Sequence, residues 1–293
     1  MDVSVIIVNW NTGGLLRRCL DRMAEALDRH THEVIVVDNA STDQSIALAE
    51  GSRESFRLLS LKTNMGFSRA NNIGIRQAKG ATMILLNPDT EPERGSLSAL
   101  VDVLRDHPRA AAVGPRLLNA DRTLQRSCRR FPTTVTLALL FLKVHHLFPR
   151  LPPLRRYFMA DFAHDEDRRV DQIMGACMAI PRSALAHIGL LDERYWLWFE
   201  EVDWCRRAAN AGREIWFTPQ ARVVHHGGVS FRHVLPVKKE WRFIRSGLRY
   251  AMTYLGMGST FFLLSLVPLA LFLDTSAFLS WFRRSSTVST PTP

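Results

Sequence analysis

The chain opens on a continuous β-branched run, VSVIIV at 3–8, which reads as a strand buried on both faces within a parallel sheet. Asn11-Thr12-Gly13-Gly14 then leads into a helical pattern, LLRRCLDRMAEALDRH. EVIVVD at 33–38 repeats the strand signal, and Ser41 and Gln44 have capping-box spacing for a helix running to about Glu50. A short third strand follows at 56–61. Residues 64–80 read as a loop into a helix that Gly80 ends, 82–87 as a fourth strand, and 92–108 as a helix bounded by prolines. This alternation over short connections predicts an α/β fold, an open, mostly parallel twisted sheet flanked by helices.

Sheets of that kind bind ligands beyond the carboxyl ends of their strands. The polar clusters fall there: Asn9 and Asn11 after the first strand, Asp38 and Asn39 after the second, Asn87 and Asp89 after the fourth. Asn and Asp also favour turns and caps, so one cluster is ambiguous, whereas three point to a ligand. No GxGxxG follows the first strand, and neither GxxxxGKS nor GxxxxGKT occurs anywhere. That argues against a dinucleotide dehydrogenase and a P-loop NTPase.

Composition adds limits. The chain has 293 residues, 46% hydrophobic and 23% charged, which excludes wholesale disorder and a polytopic membrane protein. Four cysteines (19, 128, 177 and 205) form no CxxC pair. They suggest neither a zinc ribbon nor a disulfide framework, and fit a reducing compartment. The N-terminal run reads as a strand, not a signal peptide.

Charge changes the picture more. The net +10 is uneven: 122–157 carries eight basic residues and no acid, and 231–293 carries eight basic residues and two acids. Both segments contain apolar runs, 133–142 and 258–273. Basic plus apolar predicts a surface that lies on anionic lipid. A nucleic-acid partner is set aside, because no helix-turn-helix, zinc-finger or RNP-like pattern accompanies the charge. The uncharged stretch 255–273 is near the lower limit for spanning and contains Pro268, so crossing the bilayer and lying in its plane both stay open. The tail from Ser285 reads as disordered.

Three places can carry chemistry. Asp89 is a lone acid just past a buried strand, suited to a hard divalent cation shared with substrate phosphates, or simply to a turn. Trp196, Trp198 and Phe199 crowd the entrance to a helix whose first turn holds Glu200, Glu201 and Asp203. The helix dipole alone stabilises acids there, but an acid sheltered by aromatics can also be tuned towards general-base work. ARVVHHGGVSFR at 221–232 ends a short apolar strand on two histidines. Either His225 or His226 could complete a metal site with Asp89.

Taken in order, VSVIIVNWN, EVIVVDNASTD, NMGFSRANNIGI, LLNPDTE, MGACMAIPR, LDERYWLWFEEVDWCRRAANAG and VVHHGGVS resemble family 2 inverting glycosyltransferases over residues 2–232. The closest branch resembles the rhamnosyltransferase-like enzymes of bacterial cell-wall and surface-polysaccharide assembly. The resemblance implies a GT-A fold with a nucleotide-sugar-binding half at 1–116 and an acceptor-binding half with the catalytic base at 117–232. A basic and apolar membrane-associating extension would occupy 233–293. It implies that Asp38 contacts the nucleotide base and that Val8, Asn9 and Asn11 hold base and ribose. Asn39, Asn64, Asn71 and Asn87 would complete the donor site, with Asn71 where some members carry Arg. Asn87-Pro88-Asp89 matches the DxD motif, so Asp89 and His225 would hold Mg²⁺ or Mn²⁺. Glu200-Glu201 matches the family's Glu-Asp pair, giving Glu201 the role of base, with Glu200 and Asp203 beside it.

The implied reaction is one in-line displacement that inverts the anomeric centre, with rhamnose from dTDP-rhamnose as the best match. The implied acceptor is a polyprenyl-diphosphate-linked or other saccharide. The implied location is the cytoplasmic face of a bacterial inner membrane, held peripherally or monotopically. A UDP- or GDP-sugar donor stays open, as does a catalytically silent nucleotide-sugar-binding or membrane scaffold.

Overall fold

The computed structural model describes residues 1–227 and 236–273. The tail from Ser285 and Gly228-Val229-Ser230 of the last motif lie outside them. In chain order the first elements are β1 (Val3–Asn9), α1 (Leu15–Leu20), α2 (Met23–Ala26), β2 (His32–Asp38), α3 (Ser45–Glu50), β3 (Arg57–Ser60) and α4 (Phe67–Gln77). Then come β4 (Thr82–Leu86), β5 (Thr90–Pro92), α5 (Ser96–Asp106), β6 (Ala110–Leu118), β7 (Leu124–Gln125), β8 (Cys128–Arg129), α6 (Thr134–Phe141), α7 (Val144–Leu147) and α8 (Pro152–Tyr157). The last are β9 (Arg168–Val170), β10 (Gln172–Ile173), β11 (Cys177–Pro181), α9 (Arg182–Ile188), α10 (Glu200–Asn210), β12 (Glu214–His225), α11 (Pro236–Tyr254), α12 (Met257–Ser265) and α13 (Val267–Leu273). They form two compact units, 1–131 with 158–232, and 132–157 with 233–293.

The first unit is built on a ten-stranded sheet of order β3-β2-β1-β4-β11-β6-β12-β5, with β7 added on β6 and β9 on β12. Strand β1 is buried along its whole length. Val3, Val5 and Ile7 join the core formed with α1, α2 and α5, while Ile6 and Val8 join the opposite core with α4, α9 and α10. Period-two alternation therefore serves two apolar layers at once, as the unbroken β-branched run requires. Each such side chain contributes about 1.5–3 kcal/mol by leaving water.

The expected parallel order holds for β3, β2, β1 and β4. Beyond β4 the sheet is mixed rather than mostly parallel. Strand β11 pairs antiparallel with both β4 and β6, and β12 pairs parallel with β6. The reason lies in where the chain re-enters: Cys177 pairs with Leu86, so β11 starts at the carboxyl end of β4 and must run backwards. Two reversals leave β6 and β12 pointing the same way as β1. The carboxyl ends of β1, β2, β4 and β12 consequently share one edge.

Local expectations shift in two places. The helical pattern after Gly14 breaks into α1 and α2 rather than one helix. Ser41 does not cap a helix, because its hydroxyl accepts from the Asn9 side chain and the Asn11 N–H. Helix α3 starts later, where the Asp43 carboxylate accepts the N–H groups of Ser45 and Gly13 at 3.1 and 2.8 Å. All four cysteines are free and buried, and burial pushes Cys19 and Cys128 up to about 12, which makes them unreactive thiols.

The basic stretch 122–157 is divided between the units. In the first, Arg122 pairs with Glu93, Arg130 with Asp171, and Arg126 donates to the Phe162 carbonyl at 2.9 Å. The second unit is helical. Glu240 on α11 is buried and paired with Lys143, Phe141 meets Phe243 edge-on, and Thr134 donates to Ser259 at 2.8 Å. Among the described residues no helix is long and apolar enough to cross a membrane.

Candidate active site

Asn9 and Asp38 end β1 and β2 as register partners. The Asn9 amide donates to Asp38 Oδ1 at 3.1 Å and to the hydroxyls of Ser41 and Ser45 at 3.0 and 2.9 Å. Its carbonyl oxygen accepts from Thr12. Asn9 is thus a strut with its hydrogen-bonding capacity used internally. Asn11 adopts a left-handed backbone (φ 52°) and its side chain accepts the Thr42 N–H at 2.7 Å. Val8 points into the core. Asn71 is buried on α4, donating to the Phe67 carbonyl at 3.0 Å.

A second chain of contacts runs from β2 to the aromatic loop. Asn39 donates to Asn64 Oδ1 at 3.0 Å and to the Gly66 carbonyl at 3.2 Å, and accepts the Met65 N–H at 2.8 Å. Gly66 has φ 87°, and a Cβ there would stand 2.5 Å from the Trp196 carbonyl oxygen. Only glycine permits that backbone and that approach. The Phe67 N–H then donates to the same Trp196 carbonyl at 2.7 Å.

Asn87 and Asp89 leave β4, and β5 pairs with the end of β12 so that His225 lies opposite Thr90. His225 Nε2 is 3.4 Å from Asp89 Oδ1 and 3.5 Å from Asn87 Nδ2. Asp89 and His225 are both buried, and Asn87 Oδ1 is buried with no hydrogen-bond partner. Gln125 faces the other side of the ring. Its Nε2 donates to Asn119 Oδ1 at 3.0 Å, which turns its Oε1 towards His225 Nδ1 at 2.7 Å. Nδ1 then carries the proton, and in the neutral ring the Nε2 lone pair faces the Asp89 carboxylate. Lone pairs opposed in this way, beside an orphaned amide oxygen, suit a cation that neither the sheet nor the loop supplies. His226 is elsewhere, paired with Glu91 at 2.8 Å. Among the described residues no three His, Cys, Asp or Glu side chains cluster as a complete metal-holding group.

Helix α10 begins after two successive left-handed residues, Trp198 (φ 59°) and Phe199 (φ 69°). Backbones of this kind cost energy and persist where the surroundings enforce them. Glu200 and Glu201 follow, each with Oε2 buried and unpartnered. Burial, reinforced by the neighbouring Glu201 charge, holds Glu200 well above the usual carboxylate range. Burial also raises Glu201, opposed by its backbone hydrogen bonds and the Arg129 charge. Burial and the neighbouring charge act more strongly on Glu200, which leaves Glu201 the more readily ionised of the two. Asp203 stands one turn on, its carboxylate paired with Arg207 at 2.9 Å, while Arg207 also donates to the Ile188 and Leu190 carbonyls.

The structure links these groups through the start of β11. The Ala176 carbonyl accepts the Asn87 N–H at 2.9 Å, and a Cβ on Gly175 would meet the Glu201 Cβ at 3.6 Å. It adds Gln125 and Arg129 to the residues the sequence suggested. Both lie on the short β7–β8 segment, and no local pattern marks them; Gln125 is 100 positions from the histidine it orients.

Because Glu200 binds its proton more tightly when folded, stability falls as pH rises above the ordinary carboxylate value. Glu200→Gln removes that penalty. Urea unfolding should show the variant more stable than the parent at about pH 8 and indistinguishable at about pH 4. A constant difference across that range would contradict the buried, proton-holding Glu200.

Comparison with known proteins accords with this geometry. The family model described as Glycosyl transferase family 2 matches residues 4–188. An N-acetylglucosaminyl-diphospho-decaprenol L-rhamnosyltransferase of Mycobacterium tuberculosis is 30% identical over 233 residues, covering 76% of this chain and 75% of that protein. A dTDP-rhamnosyl transferase of Shigella flexneri is 20% identical, covering 76% of this chain and 69% of its own length. Among solved structures, a mannosyltransferase from Pyrobaculum calidifontis in complex with GDP-Man and Mn²⁺ has a TM-score of 0.57 at 17% identity, over 99% of this chain and 76% of that one. That likeness gives the fold, a GT-A-like one. A family model matched over more than half the chain, and a relative 30% identical across three quarters of it, make this protein a member of glycosyl transferase family 2 and a hexosyltransferase.

Proposed function

We propose that the enzyme moves rhamnose from dTDP-rhamnose to a polyprenyl-diphosphate-linked saccharide, with inversion, in bacterial cell-wall or surface-polysaccharide synthesis. The observation that carries the chemistry is the opposed Asp89 and His225 pair, with Gln125 fixing the ring. The names of the mycobacterial and Shigella relatives support the sugar, and the mycobacterial name supports the lipid diphosphate. The work would take place at the cytoplasmic face of the membrane, with the protein held peripherally or monotopically.

The residues divide the task. Asp38 and Asn11, at the ends of β1 and β2, receive the nucleoside, with Val8 presenting backbone alone and Asn9 bracing Asp38. Asn39, Asn64 and Asn71 shape the loop and helix that follow. Asp89 and His225, beside Asn87, fit Mg²⁺ or Mn²⁺, which when bound neutralises charge developing on the departing diphosphate. Glu201 takes the proton from the acceptor hydroxyl as it attacks the anomeric carbon. Glu200 keeps its own proton beside Glu201, which leaves Glu201 the ionised partner. Asp203 holds Arg207 and, through it, the loop entering α10.

Calorimetry with dTDP-rhamnose, UDP-galactose, UDP-glucose, UDP-GlcNAc and GDP-mannose, with and without Mn²⁺, tests this reading. Metal-dependent binding of dTDP-rhamnose, lost in Asp89→Ala, is expected. Selective binding of another donor would overturn the sugar, and no donor binding by folded protein would favour a silent scaffold. Glu201→Gln should lower kcat by about 10²–10⁴-fold while donor affinity stays unchanged. Gln125→Leu should weaken Mn²⁺ binding by about 10–100-fold, and Gln125→Glu, which still accepts from Nδ1, should restore it.

A further inference from the structure

The second unit has a surface that water does not explain. Eleven of the fourteen large hydrophobic side chains exposed among the described residues belong to it. Helices α12 and α13 bury one seam, Leu263, Val267 and Ala270, at helical spacing. A helix packed by a single seam normally turns polar residues outward. Here the outward positions include Phe261 at 62% exposed, Phe262 at 51%, and Leu264 and Leu269 at 49%. On α11 a buried face of Glu240, Ile244 and Ala251 opposes an outer face bearing Lys238, Trp241, Arg245 and Met252.

Charge narrows the occupant. The described residues of this unit carry nine Lys and Arg against one acid, Glu240, and that acid is buried and paired with Lys143. Among the described residues nothing anionic is left on its outer face. Exposed aromatics and aliphatics rimmed by cations, with Trp among them, match the interface of an anionic bilayer. At 1.5 Å per residue, the sixteen residues of α12 and α13 reach about 24 Å, short of the hydrocarbon core.

We infer, resting on the membrane placement proposed above and not on the donor sugar, that this surface enters one leaflet of an anionic membrane without crossing it. Helices α12 and α13 lie among the acyl chains through Phe261, Phe262, Leu264 and Leu269. The outer face of α11 lies at headgroup level, where Lys238 and Arg245 meet lipid phosphates. This makes the protein monotopic.

Flotation of the full chain with vesicles tests it, in the absence of donor and acceptor. Vesicles of phosphatidylglycerol with phosphatidylethanolamine should recover the protein, and phosphatidylcholine vesicles much less. Lys238→Gln with Arg245→Gln should weaken recovery on the anionic vesicles by about 25-fold at low salt, about fivefold per charge. Phe261→Glu with Leu269→Glu should reduce recovery more than about tenfold on either vesicle. Circular dichroism and nucleotide-sugar binding on the same samples show whether each variant is folded and whether the donor site stands independently. Equal recovery of parent and variants, or no recovery of the parent, overturns the inference. So does a self-association in sedimentation that the Phe261→Glu, Leu269→Glu variant abolishes, since a second copy would then be the occupant.

Discussion

Everything at the active edge depends on the parallel register of β1 with its two neighbours. Asn9 pairs with Asp38 on one side, and Ile7 with Leu86 on the other. Parallel pairing puts the carboxyl ends of all three strands at one level, so three loops emerge together. A slip of one residue would send Val3, Val5 and Ile7 to the layer now holding Ile6 and Val8. It would also part Asn9 from Asp38, whose side chains are joined at 3.1 Å. Core packing and site geometry are therefore fixed by the same pairing.

The candidate site uses groups that are poor for stability. Buried Glu200 and half-buried Glu201 stand at the start of α10, after two left-handed backbones and with one carboxylate oxygen of each buried and unpartnered. In water either carboxylate would ionise freely; sheltered together, both are pushed above the usual carboxylate range, Glu200 further than Glu201. Arg129 opposes the rise of Glu201 without a direct ion pair. Such an arrangement persists because the surrounding core overdetermines it: Trp204, Cys205 and Ala208 anchor α10 in the sheet's second apolar layer.

The two units solve burial differently. The first covers both faces of its sheet and confines polar groups to one edge. The second covers one seam of α12 and α13 and leaves broad apolar surface outside. Its short helices could not show this as a periodic pattern, because exposed Phe261, Phe262, Leu264 and Leu269 flank the buried Leu263, Val267 and Ala270 on the same helices.

The sequence by itself determined the first four strands, β1 to β4, their order of appearance and the polar residues at their ends, because β-branched runs and polar breaks are local signals. It also determined the family, since the runs that hold Asp89, Glu200, Glu201 and His225 are recognisable. Tertiary structure decided the rest. It made the sheet mixed, because the start of β11 is set by where the chain returns and not by its own residues. It made Asn9 a strut and Gln125 the orienter of His225. Such side-chain pairings depend on register and chain return, which bring together residues up to 100 positions apart, and no local pattern encodes distance in space.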